Sequence, residues 1–245
     1  MLFRSGDNYA NPQLTGENSD RVAVLDCHFY KACKDGTEGA AIALRGMDNT
    51  VISGCMIRGG GLASLGIQFQ NSRDVLATGN ELSEFTGNGE GIKLDKLGTT
   101  MFANSGRFEY NRIVNATEGI DVDDQVWHTT VLGNVISGCT DEGISVDDSA
   151  TAVLIGNKVR GCTDGILVEA GAVVIMASNS SYDNSSNNYR ILNGYALPGS
   201  NVTFAPPIAV DAEYYPANPA SWVGPSPADM SDAIDRLAAA LGPIP

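Results

Sequence analysis

Acidic side chains recur in this sequence at matching places. Glu90, Glu118, Glu142 and Asp164 each stand directly before a glycine. A second series, Asp95, Asp123, Asp147 and Glu169, follows closely on an apolar residue, and Asp121, Asp124 and Asp148 thicken it. Glycoside hydrolysis needs two carboxyl groups about 5 to 9.5 Å apart, one to donate a proton and one to act as nucleophile or base. Asp121, Asp123 and Asp147 are therefore the candidate catalytic groups. Lys93, Asp95, Asp124, Trp127, His128 and Asp148 are the candidate substrate-binding groups, Trp127 because a sugar ring stacks on an indole face. Trp127 and His128 stand out in a chain with two Trp and two His. The plainer reading is a solvated acidic face that keeps a repetitive surface from aggregating. No metal-ligand set and no cofactor is expected.

Something regular must position these groups, and the sequence contains a repeat. Gly/Ala-Ile-x-apolar elements recur at Ile42, Ile67, Ile92, Ile120, Ile144 and Ile166, with steps of 25, 25, 28, 24 and 22 residues. A second element, apolar-x-small/Asn-x-apolar, centres on Cys27, Cys55, Asn80, Asn111, Asn134, Asn157 and Asn179. A fixed period of this size marks a solenoid. Both elements alternate at period two, are rich in Val and Ile, and end at Gly, Asn or Asp, which is strand chemistry. Short strands with one apolar face and no hairpin turn between them stack on the next coil rather than pairing locally. The expected fold is all-β, a right-handed single-stranded parallel β-helix of about seven coils, with a C-terminal extended arm and a short α-helix.

Coils about 4.8 Å apart turn equivalent residues into ladders. Asn80, Asn111, Asn134 and Asn157 then form a structural amide ladder. Cys139 and Cys162, in matching Gly-Cys-Thr-Asp sequences, are expected as packed, inert neighbours. With Ile120 and Val122 pointing inward, Asp121 and Asp123 are expected to face outward. Leu94 and Asn111 are 17 residues apart where the other coils have 11 or 12, so about six extra residues bulge within 95–106. That loop, the carboxylates, Trp127 and His128 are expected on one lateral face, as a saccharide groove.

Four segments follow: 1–21 as N-terminal cap or arm, 22–190 as β-helix, 191–225 as cap strands and Pro-rich linker, and 226–242 as a helix. Ser226 as N-cap, Pro227 at the first helical position and Gly242-Pro243 as stop frame that helix. Met230, Ile234, Leu237 and Leu241 are spaced 4, 3, 4, a seam suited to self-association about a molecular axis. Packing back on the solenoid is the alternative.

The chain has 245 residues, with 15 Lys and Arg against 29 Asp and Glu, a net charge of -14. Nucleic acid and anionic lipid surfaces are excluded as partners by that charge. No apolar run is long enough for membrane insertion, and the first residues show no export signal. Five cysteines without CxxC spacing are read as reduced and buried.

Thr50-Val51-Ile52-Ser53-Gly54-Cys55-Met56-Ile57 and Thr130-Val131-Leu132-Gly133-Asn134-Val135-Ile136 resemble the coils of the pectin lyase-like β-helix superfamily. The resemblance implies the fold and a tie to polysaccharide, since most members handle it. The superfamily's enzyme motifs are absent: Asp123-Asp124 occurs without the Gly-His-Gly or Arg-Ile-Lys of polygalacturonases, and the Asp-Pro-His-Glu of alginate epimerases is missing. A lyase would need a base beside a calcium cluster, for which Lys93 beside Asp95 and Asp121 is the local candidate. A short β-helix with an oligomerising helix looks like a tailed-phage spike or fibre. That likeness implies a homotrimer in the virion, contacting other virion proteins and host surface glycan. The alternatives are a secreted polysaccharide-active enzyme, whether hydrolase, lyase or epimerase, and a structural virion decoration. Binding without cleavage is expected, because an acidic ladder with uniform surroundings would not separate the pKa values of its members.

Overall fold

In a computed structural model, the described residues are 14–17, 21–32, 39–60, 65–85, 87, 89–96 and 104–198. They wind into a parallel β-solenoid of about seven turns whose strands form three sheets, one more than the two repeated elements require. The first sheet stacks Leu14–Glu17, Ala40–Arg45, Leu65–Gln70, Ile92–Asp95, Ile120–Val122, Glu142–Val146, Asp164–Glu169 and Asn187–Leu192. The second stacks Ala23–Leu25, Val51–Ser53, Val75–Thr78, Gly106–Glu109, Thr129–Leu132, Thr151–Ile155, Val173–Ala177 and Tyr195–Pro198. The third runs from His28–Ala32 through Met56–Gly59, Glu81–Phe85, Arg112–Ala116, Val135–Ser137 and Lys158–Arg160 to Ser180–Tyr182.

Register follows the apolar alternation. Ile42, Ile67, Ile92, Ile120, Ile144 and Ile166 pair in succession and are buried, as the repeat predicts. A parallel column of Leu44, Phe69, Leu94, Val122, Val146 and Val168 lies beside it. Because a one-residue slip would turn every inward residue outward, these two columns fix the direction of each acidic side chain between them.

The glycine before Ile67, Ile92, Ile120, Ile144 and Ile166 is required by space, whereas Ala41 precedes Ile42. A Cβ on Gly91 would lie 2.6 Å from the carbonyl oxygen of Gly119 on the next rung and 2.7 Å from Ile113 Cγ2. The corner between the second and third sheets is also uniform. Asp26, Gly54, Gly79, Tyr110, Gly133, Gly156 and Ser178 all have φ between 51° and 66°, and glycine enters that left-handed region at little cost. The residue after each is the Cys or Asn of the second element. Asn80 Nδ2 donates to Asn111 Oδ1 at 3.0 Å, and the bond repeats from Asn111 to Asn134, Asn134 to Asn157 and Asn157 to Asn179. Each of these carboxamides also takes a backbone N–H and donates to a backbone carbonyl of the preceding rung, so the ladder satisfies its own buried polar groups.

Cys139 and Cys162 are buried free thiols; the hydrogen bond between them lowers Cys162 and, with burial, pushes Cys139 well up, and it is the burial of both that suits inert packing. The solenoid is longer than 22–190 at both ends. Leu14 pairs with Ile42 inside the expected cap, residue 190 falls within Asn187–Leu192, and Tyr195–Pro198 adds to the second sheet. Leu14, Tyr189 and Ile191 continue the inward columns without the Gly-Ile signature, which is why the periodicity stops short of them. Most of the expected bulge, 97–103, and the arm and helix with Met230, Ile234, Leu237 and Leu241 lie outside the described residues. Among the described residues no helix is long and apolar enough to cross a membrane.

Candidate functional site

On the outward face of the first sheet the registers Gln68↔Lys93, Lys93↔Asp121 and Asp121↔Ser145 make the floor of a trough. Two residues further along each strand, Asp95, Asp123 and Asp147 rise on one side. Glu90, Glu118 and Glu142 stand three residues before the floor on the other, linked rung to rung through Gly91 N–H to Glu118 O and Gly119 N–H to Glu142 O. The two acidic series of the sequence are thus the two walls of one trough, across a floor that contains a single cation.

That cation is Lys93. Its Nζ lies 2.6 Å from Asp121 Oδ2, 3.3 Å from Asp123 Oδ2 and 3.6 Å from Glu90 Oε1. One oxygen from each of Asp121, Asp123 and Asp147 falls within 4.8 Å of the others, and Asp123, Asp124 and Asp148 form a second such group. Asp95 Oδ2 accepts from Gln70 Nε2 at 3.1 Å and Gln68 Nε2 at 3.3 Å. Oδ1 of Asp95, Asp121 and Asp147 is buried without a hydrogen-bond partner. An unpaired buried acceptor is costly, and such a group lowers the cost by holding a proton.

The solvated acidic face is therefore corrected. Asp121 is 3% exposed and Asp95 7% exposed, Asp121 against the Lys93 ammonium and Asp95 against the Gln68 and Gln70 carboxamides. Burial pushes Asp121 up to about 7 even though Lys93 pulls the other way. Burial, and then the adjoining Asp123, pushes Asp147 up to about 9. Glu118 rises to about 9 through burial and the charges of Asp121, Glu90 and Glu142. Glu142 rises to about 7 through burial and Asp141. Asp95 is raised by burial against the hydrogen bonds from Gln70 and Gln68, and Asp124 is raised by burial and its neighbours Asp123 and Asp148. Burial opposes the charge on Lys93, but Asp121, Glu90 and Asp123 outweigh it and hold the ammonium above its ordinary value. The uniform ladder expected from sequence is replaced by carboxyls that their surroundings raise to different extents.

Asp121, Asp123, Asp147, Lys93 and Asp95 come together as expected, with Asp124 and Asp148 at the rim. Trp127 and His128 do not join them. The chain turns at Asp124 and Gln125, both left-handed, so Trp127 and His128 fall in the connection that leads into the second-sheet strand Thr129–Leu132. His128 lines a separate shallow groove of about 540 Å³ with Asp74, Leu76, Arg107 and Thr130, and Trp127, the residue before it, is exposed. Glu118, Glu90 and Glu142 were missing from the expected site. Their signal was present in the position directly before each Gly-Ile, three residues from the floor.

A family model described as right handed beta helix region matches residues 14–151. Among solved structures, a periplasmic alginate epimerase, AlgG, superposes with a TM-score of 0.50 at 15% identity, over 76% of this chain and 51% of that one. The A-module of the Azotobacter vinelandii mannuronan C-5 epimerase AlgE4 gives 0.52 at 13% identity, over 76% and 58%. At these identities the likeness is one of fold, and the chain spans a little over half the length of either structure. No curated protein matches the sequence.

Proposed function

The chain belongs to the right-handed β-helix family, and from that premise we propose that its first-sheet trough binds a polysaccharide. The observation that carries this reading is the floor of Lys93 and Asp121 between two carboxyl walls, one of which continues outward into Asp123, Asp124 and Asp148, whose carboxyls lie together and reach solvent. Sugar hydroxyls donate to carboxyl oxygens of the kind these rim residues present to solvent, and a chain of sugars laid along the coil axis would meet them on successive rungs. As the setting for this binding, the reading retains the homotrimeric virion spike or fibre directed at host surface glycan. Its support is the 4-3-4 seam at Met230, Ile234, Leu237 and Leu241. Titration of the purified chain with a panel of surface polysaccharides tests it. At least one should bind, and Asp121→Asn with Asp147→Asn should change its affinity at least several-fold. Absence of binding to the whole panel would count against the reading.

A second reading, cleavage, is favoured by one observation. Asp147, pushed up to about 9, holds its proton at neutral pH beside Asp123, as an acid paired with a second carboxyl does. In that reading Asp147 donates to the leaving oxygen and Asp123 serves as the partner carboxylate. Release of oligosaccharide that is lost in Asp147→Asn and in Asp123→Asn, with binding retained, would decide for it.

A further inference from the structure

The three sheets differ sharply in charge. Strands of the first sheet carry nine acidic or basic residues and those of the third carry seven. The eight strands of the second sheet carry Arg107 and Glu109 alone, and these two neutralise each other at 2.6 Å. From Thr129–Leu132 through Tyr195–Pro198, four consecutive strands contain no charge. Their outward residues form aligned columns, Thr130↔Val153↔Ile175 and Leu132↔Ile155↔Ala177. Ile175 is 43% exposed and Tyr195 66% exposed at the end of this flank. A contiguous apolar face of this extent on a soluble rung structure marks an interaction surface.

We propose that the second sheet is a self-association face that seats a second copy of this chain. The charge distribution selects that occupant. Two chains of net charge -14 repel each other, and a partner of opposite charge would be drawn to the acidic first sheet, whereas the second sheet is the flank on which two copies meet without like charges in contact. The area also suffices. Eight strands about 4.8 Å apart and about five residues wide give a face of roughly 34 by 16 Å, so two faces together bury about 1,100 Å², at the threshold for a specific interface. Two twisted β faces pack about 10 Å apart through outward β-branched residues of this kind. The inference stands apart from the glycan reading, since the trough lies on another sheet.

Sedimentation velocity on the full chain at about 10 µM tests it. The wild type should sediment as an even multiple of 25.7 kDa, two for face pairing alone and six where the helical seam also joins three chains. Val153→Lys with Ile175→Lys, which places four ammonium groups in each face-to-face contact, should weaken association by at least about tenfold while circular dichroism and melting stay those of a folded solenoid. Val153→Thr with Ile175→Thr keeps the β-branched shape and should give an intermediate loss, and it replaces the Lys pair if that pair fails to fold. A monomeric wild type would overturn the proposal. So would undiminished association of the folded variants, or association lost only in Ile234→Lys with Leu237→Lys, which would assign it to the helical seam.

Discussion

Lys93 Nζ lies 2.6 Å from Asp121 Oδ2 on the next rung, and Asp121 is buried. Breaking a buried pair leaves the remaining charge without a partner, at a cost of about 3 to 5 kcal/mol when that charge cannot be discharged. Asp121, already at about 7, takes up a proton below neutrality. Lys93→Met should therefore destabilise the chain by about that amount at pH 9 and by much less at pH 5. Chemical denaturation at the two pH values measures the difference; equal losses at both would contradict the pairing.

The carboxyl walls set the pH dependence of the wild type. Asp121 and Glu142 at about 7, and Glu118 and Asp147 at about 9, lie above the unfolded-chain value of about 4. The folded chain therefore binds more protons than the unfolded chain between about pH 4 and 9, so stability is greatest at the acid end and falls as pH rises through the folded values. Asp48, Glu84 and Asp164, each lowered, act in the opposite sense below about pH 4. Melting should be higher at pH 5 than at pH 9, and Glu118→Gln should shrink that difference. A melting temperature that rises toward pH 9 would contradict the placement of these groups.

The ladder makes a further demand. Asn134→Ala removes the acceptor for Asn111 N–H and Nδ2 and the donor to Phe108 O in one step. Unsatisfied buried groups cost about 1 to 3 kcal/mol each, so a loss of at least about 2 kcal/mol is expected in equilibrium unfolding. A near-neutral result would mean that water replaces the carboxamide.

Gly91→Ala tests the close approach of successive rungs. With Gly119 O at 2.6 Å and Ile113 Cγ2 at 2.7 Å from the new methyl, the coil has to open or shift. Overpacking of this kind costs about 1 to 3 kcal/mol, which thermal unfolding reads directly. Unchanged stability would show that the rungs are further apart than described.

Most of the fold was readable because its determinants are local and repeated. Gly-Ile spacing, the Asn series and the outward direction of Asp121 follow from period-two alternation carried from coil to coil. At least two strands per coil were legible and the third sheet was left open, because strands such as Val135–Ser137 and Lys158–Arg160 are three residues long and contribute one inward residue each, Ile136 and Val159. In the site, residue identity and direction were legible and burial was not. Whether Asp121 meets water depends on neighbours 24 to 28 residues away in sequence, at Lys93 and Ser145. The same holds for Trp127. One left-handed pair at Asp124 and Gln125 carries it round the corner, and alternation has no term for a corner.

Hydrogen exchange of the full chain, with and without a saturating amount of whichever polysaccharide binds it, locates the site most directly. The account predicts added protection in Ile92–Asp95, Ile120–Val122 and Glu142–Val146 and through Asp147, with the second sheet unchanged. Protection confined to the second-sheet groove around Leu76, Arg107, His128 and Thr130, with the first sheet unaffected, would contradict it.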